Sequence, residues 1–395
     1  MREEYIYLDH YRTTPLKEEI FEKMKPYFNE HFWLPASFTS TGTEISEVIE
    51  RSKKAILNAF GLRKGNVIFT SGGTLANNLV IHGLLRDADL QHTHLIASKV
   101  DHLSILKPYG YYKKKGTKVT LLNTDENGYV ALDELRASLT RDTRLVAITY
   151  VNHTIGTVQN VKEIIDIVKN YNDKIMILVD GCEAVNSVKI DLSQLDIDFL
   201  TLSGHKIYGP KGTGAVIARD AKNLKPVIFG FVETSPYTPG AENIPGIVGI
   251  SESVKFAVEN RERYVKHCSD IQHYLVDKME KNISDIVLNG PKIGERAVDN
   301  VNYSIRYIEG ESITLFLDFE DIVVATGSAC ASSDLKVNYI LSAIGRDHEM
   351  AHGSIRLTLG WDNTKKQIDV FIDKLIPIVE RLRKQSTISR VRVGG

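Results

Sequence analysis

The chain has 395 residues, 43% of them hydrophobic and 25% charged, with a formal net charge of -1. That length and apolar content suffice for substantial buried cores and suggest two domains rather than one. The near-neutral balance supplies no basic field for a nucleic-acid backbone or an anionic membrane, so direct contact with either is not expected. In chain order, short apolar runs alternate with amphipathic helical segments between residues 65 and 220, the pattern of a parallel sheet. The candidate strands are Val67 to Thr70, His94 to Ser98, Lys118 to Leu122, Leu145 to Val151, Lys174 to Val179 and Phe199 to Ser203. Helical periodicity follows the first at Leu79 to Leu85 and another at Val161, Ile164, Ile165 and Val168. Ligands of such sheets bind beyond the carboxyl ends of the strands, so the residues just after each strand are the ones to read.

After Thr70 comes Ser71-Gly72-Gly73-Thr74, a glycine turn into a helix expected to start near Leu75. Free N–H groups there suit a phosphate, although a small-residue turn also serves simple packing. Asp101 and His102 follow the next strand and read either as site residues or as a helix cap and a surface histidine. Asp180 is a carboxylate at a buried strand end, where it needs a cationic or hydrogen-bonding partner. Ser203-Gly204-His205-Lys206 ends the sixth strand. Lys206 reads either as a covalent-cofactor lysine or as a solvated turn lysine. A carboxylate such as Asp180, held against a pyridine nitrogen, would keep that nitrogen protonated and make the ring an electron sink.

The stretches Lys174 to Val179 and Leu145 to Val151 are too short to span a bilayer. Met1-Arg2-Glu3-Glu4 lacks the apolar segment of a signal peptide, and a cytoplasmic location is expected. Cys182, Cys268 and Cys330 are an odd number without Cys-x-x-Cys spacing, which argues against a disulfide framework and a zinc site. Cys268 reads as structural and Cys182 as a core residue, with the cofactor neighbourhood as the alternative.

These residues resemble the NifS/IscS cysteine desulfurases of the class V PLP-dependent aminotransferase superfamily. The resemblance runs from Ile6-Tyr7-Leu8-Asp9 and Thr13-Thr14-Pro15, through Ile190 to Leu195, to Ser354-Ile355-Arg356-Leu357-Thr358-Leu359-Gly360. It implies an α/β architecture, fold type I of the PLP-dependent transferases. A large domain (16–262) would carry a mainly parallel seven-stranded sheet flanked by helices. A smaller α+β domain (1–15 and 263–395) would carry the active-cysteine loop and the substrate arginine. The cofactor implied is pyridoxal 5′-phosphate (PLP) on Lys206, with Asp180 at the pyridine nitrogen and His102 stacked on the ring. Gly73, Thr74, Ser203 and His205 fall on the phosphate side, and Arg356 with Asn152 on the substrate, where a guanidinium fork suits a carboxylate. Ala325 to Ser333 is similar to the family's cysteine loop and makes Cys330 the nucleophile that takes sulfur from L-cysteine as a persulfide, leaving L-alanine. In the implied mechanism the substrate amine displaces Lys206, the freed lysine takes the Cα proton, and Cys330 then attacks the sulfur.

Family resemblance further implies a homodimer and acceptors such as an iron–sulfur scaffold or a tRNA-thiolating enzyme. Several residues depart from the family pattern. Glu183 stands where a glutamine bonds the cofactor's phenolic oxygen, and His153 where an asparagine makes a similar contact; His153 could supply a compensating positive charge beside Glu183. Asn243 replaces a threonine that reaches the partner's phosphate, while Leu34, Arg12 and Phe229 to Ser235 also differ. A selenocysteine lyase, another PLP-dependent lyase or aminotransferase, and a PLP-binding paralogue acting as a partner protein remain as alternative readings.

Overall fold

The computed structural model describes residues 5–36, 38–326 and 338–386. The chain opens with β1 (Ile6–Tyr7). A seven-stranded sheet then forms from β2 (Asn66–Thr70), β3 (His94–Ser98), β4 (Lys118–Leu122), β5 (Thr143–Thr149), β6 (Met176–Asp180), β7 (Phe199–Ser203) and β8 (Gly214–Ala218), in the order β2-β8-β7-β6-β5-β3-β4. Its pairings are parallel except at β8, which runs antiparallel to both neighbours. The expected seven-stranded, mainly parallel sheet is therefore present, with β5 and β6 each shifted by about two residues from the apolar runs.

Continuous apolar runs form these strands because both faces are covered. Every residue of β3, β7 and β8 is buried. Alternate side chains point to opposite faces, so Leu95 and Leu145 pack in one core and Ile96 and Val146 in another. Helices α1 (Gly73–Leu85) and α2 (Leu103–Lys114) cover the first face with Leu79, Val80, Ile105 and Tyr109. Helix α3 (Val161–Tyr171) covers the second with the four apolar residues whose spacing announced it, joined by Ile250 and Val254 of α4 (Ile244–Glu259).

A four-stranded antiparallel sheet supplies a further core. It comprises β9 (Ile286–Leu288), β10 (Asn300–Ile305), β12 (Ala325–Thr326) and β13 (Ser354–Thr358), in the order β12-β13-β10-β9. Helices α5 (Arg261–Asn282) and α6 (Lys365–Gln385) pack on it through residues such as Leu275 and Phe371. Cys268 lies in this core, fully buried, as its structural reading required. The start of the chain joins the same unit: β1 pairs in parallel with β11 (Ile322–Val323), and Asp9 bridges to Thr358. That stitching carries Asp9, Tyr11 and Arg12 to the carboxyl edge of the large sheet.

Candidate active site

A cleft of about 760 Å³ opens at the carboxyl ends of β2, β3, β5, β6 and β7, and Arg356 of β13 reaches into it from the smaller sheet. Lys206 stands at its floor. Strand β7 ends at Ser203, and a single 3-10 turn over Gly204–Lys206 lifts the lysine off the sheet edge. Its Nζ donates to the Glu183 carboxylate and to the Tyr11 carbonyl. Two acceptors and an opposite charge compensate the desolvation of the ammonium.

Asp180, the last residue of β6, is 5% exposed. Its Oδ2 accepts from Asn77 Nδ2 at 2.8 Å and its Oδ1 from the Cys182 backbone N–H at 3.0 Å. Asn77 gives its other amide hydrogen to Ser104 Oγ and accepts from Thr201 Oγ1 at 2.7 Å, so its hydrogen-bonding capacity is used to fix the carboxylate. His102 caps α2: Nδ1 accepts from the Ser104 N–H at 3.1 Å and lies 2.8 Å from Ser104 Oγ. An accepting Nδ1 puts the ring proton on Nε2. Burial lowers the pKa of His102, the neighbouring Asp180 charge opposing it.

Here the cap and the acid exchange the roles that a helix-start reading gives them. Asp101 is 1% exposed, accepts from the Ser98 and Thr149 backbone N–H groups at 2.6 Å each, and thereby ties β3 to β5. Burial raises its carboxyl pKa to about 7.

The start of helix α1 also lines the cleft, where free backbone N–H groups favour an anion. Helix α1 begins at Gly73, two residues earlier than its periodicity suggests, and its first-turn N–H groups have no intrahelical acceptor. Thr74, Ser203, His205 and Lys211 line the same cleft. Burial, helped by the charges of Lys206 and Lys211, lowers the His205 pKa to about 4, which leaves a neutral ring at pH 7. A Cβ on Gly73 would come within 2.4 Å of Cys182 Sγ, so only glycine fits. Cys182 is thus not a core residue: it lines the cleft, and burial together with the Asp180 charge pushes its thiol pKa well up.

Arg356 donates from Nη2 to Asp9 Oδ1 at 2.6 Å and from Nη1 to the His153 carbonyl at 2.9 Å, while its buried Nε has no partner among the described residues. His153 also lines the cleft, its ring 5.0 Å from that of His102, with a buried Nδ1 that lacks a partner among the described residues. Burial and the positive charges around it push its pKa well below the usual value. Of the ways in which the Glu183 charge could be compensated, a proton on His153 is the one that this shift disfavours. Asn152, expected on the substrate, does not line the cleft. Asn152 donates to the Val100 carbonyl and accepts from the Thr154 and Ile155 N–H groups, bracing the turn that presents His153. Asn243 caps α4 by accepting from Gly246 N at 3.1 Å. Cys330 lies outside the described residues. Tyr11, Asn77, Ser104 and Asp9 are partners that sequence reasoning missed as such, although Asp9 stands in the N-terminal segment it singled out.

A lysine, a braced carboxylate and an anion cradle on a doubly wound sheet define the class of protein. The Aminotransferase class-V family model matches residues 6–371, and the chain belongs to that family. The cysteine desulfurase IscS of Dictyoglomus turgidum is 39% identical over 378 residues, covering 96% of this chain and 95% of that protein. A solved NifS-like protein superposes with a TM-score of 0.89 at 27% identity, over 96% of this chain and all of its own (100%). The structure of SspA in complex with cysteine gives a TM-score of 0.77 at 26% identity, over 90% of this chain and 99% of that one.

Proposed function

We propose that this chain is a PLP-dependent cysteine desulfurase that converts L-cysteine to L-alanine and holds the sulfur as a persulfide on Cys330. One arrangement carries the reading: Lys206, the Asp180 carboxylate and the N-terminus of α1 line one cleft, with the Arg356 fork reaching in from β13. The desulfurase names of the relatives and the cysteine bound to SspA support the substrate.

The residues present fit PLP. Gly73 leaves the cradle open where a side chain would collide, and the orphaned His153 Nδ1 and Arg356 Nε are buried polar atoms that call for partners. Lys206 would hold the cofactor covalently, Asp180 its pyridine nitrogen, His102 its ring face, and Thr74, Ser203 and His205 its phosphate. Once bound, PLP supplies an electron sink for the pair left when the substrate's Cα proton departs. Lys206 takes that proton, Arg356 fixes the substrate carboxylate, and the neutral rings of His102 and His153 add no charge against the substrate amine. At Cys330 an S–S bond forms as the substrate's C–S bond breaks. Phe229 and Phe231, 75% and 76% exposed in the segment that leads to Asn243, support a homodimer in which that segment meets the partner. A soluble acceptor such as an iron–sulfur scaffold or a tRNA-thiolating enzyme, in the cytoplasm, completes the reading.

Purified protein incubated with L-cysteine should release alanine and carry a persulfide that mass spectrometry places on Cys330. Cys330→Ala should still bind cysteine but form no persulfide. Neutral thiols at Cys182 and Cys268 do not replace it, because burial raises both. Alanine and sulfide release unchanged in Cys330→Ala would overturn the proposal.

A further inference from the structure

Glu183 touches the side chain on which the chemistry depends. Its carboxylate accepts from Lys206 Nζ, and the two side chains are 8% and 15% exposed. The other bond of Nζ goes to the Tyr11 carbonyl, so among the described residues Glu183 is the anion in contact with it. Around the pair, Arg356 is positive and is itself held by Asp9. His102 and His153 are pushed towards neutrality by burial, as is the Cys182 thiol. Asp180 is turned to Asn77 and the Cys182 N–H, and Asp299 to the hydroxyls of Tyr11 and Tyr264.

We propose that Glu183 is the counter-ion of Lys206, holding a proton on the lysine nitrogen and stabilising the ammonium formed when the freed lysine takes the substrate's Cα proton. The last clause rests on the desulfurase reading; the ion pair itself does not. Burial disfavours an ammonium, and a carboxylate in contact offsets that cost. In the transfer, the Cα–H bond breaks, an N–H bond forms on Lys206, the electron pair stays with the substrate, and the Glu183 carboxylate lies against the new ammonium. Burial raises the Glu183 pKa, and the Lys206 and Arg356 charges oppose it. Glu183 thus acts through Lys206 as a positioning residue that sets its charge.

The test compares wild type with Glu183→Gln, which keeps shape and volume. In full-length protein freed of cofactor, labelling of Lys206 by acetic anhydride is followed against pH by mass spectrometry, with Lys211 as internal reference. Without the carboxylate the opposite charge in contact is lost while burial and the Arg356 charge remain, and labelling of Lys206 relative to Lys211 at neutral pH should rise roughly tenfold. In the loaded protein, the pH at which the bound cofactor's visible absorption changes should move down. Coincident labelling profiles for the two proteins, with equal thermal stability, would overturn the proposal. Labelling uses neither cofactor nor cysteine, so its outcome stands whether or not the protein desulfurates cysteine.

Discussion

Arg356 and Asp9 form a largely buried pair, Nη2 to Oδ1 at 2.6 Å with the Arg356 side chain 15% exposed, which ties β13 of the smaller sheet to the N-terminal segment. Asp9 is 1% exposed. Removing one member of a buried pair leaves the other uncompensated, at about 3–5 kcal/mol. Asp9→Ala should therefore lower stability by an amount of that order. Asp9→Asn keeps an acceptor but not the charge, and should raise KM for cysteine about tenfold, roughly 1.4 kcal/mol, with a smaller effect on kcat. Steady-state kinetics decide: an unaltered KM would mean that Asp9 does not orient the guanidinium.

Gly73 and Cys182 meet where the helix α1 turn passes under the β6 loop. Because a Cβ on Gly73 would approach Cys182 Sγ to 2.4 Å, Gly73→Ala should force the helix start outward and weaken cofactor retention. Trimming the neighbour should relieve it, so Gly73→Ala/Cys182→Ala should bind PLP more tightly than Gly73→Ala alone. A double-mutant cycle on cofactor affinity reads the coupling. Strict additivity would show that the two side chains do not share this space.

His94 gives the fold a sensitivity to acid. It is 0% exposed in β3, with Nδ1 at 2.9 Å from Thr143 Oγ1 and Nε2 at 2.8 Å from Thr120 Oγ1. Burial, with the nearby Lys118 charge, lowers its pKa to about 4 from an ordinary 6.5. The folded state thus binds fewer protons than the unfolded chain between those values, so stability is full above pH 6.5 and falls as the pH drops towards 4. The loss from this group is on the order of 2 kcal/mol. Urea unfolding of wild type and His94→Gln at pH 7.5 and 4.5 should show a smaller loss in the variant. Equal losses would remove His94 as a source of acid lability.

Much of the large sheet is legible in the sequence because both of its faces are covered, so its strands read as unbroken apolar runs. Strand β8 escaped: Gly214-Ala215-Val216-Ile217-Ala218 is short and small, and only its place between β2 and β7 makes it a strand. The glycine turn, Asp180 and Lys206 were legible because each follows directly from a strand. Their partners were not. Tyr11 lies 195 residues from the lysine that it binds, and Asp9 lies 347 from Arg356. No local pattern encodes such pairs.

The sequence by itself determined which strand ends carry chemistry, since alternating apolar runs and helical periodicity are local consequences of backbone geometry. Only the tertiary structure decided the charge and neighbours of each group. Burial among positive groups lowers the His153 pKa and disfavours one of the open ways to compensate Glu183, and the approach of α1 to the β6 loop turns Cys182 from a core thiol into a cleft wall. Glu183 bonds Lys206 because two segments that follow adjacent strands converge at one sheet edge. Desolvation and Coulomb contact depend on what folding brings within a few ångströms, and the spacing of residues along the chain does not contain that information.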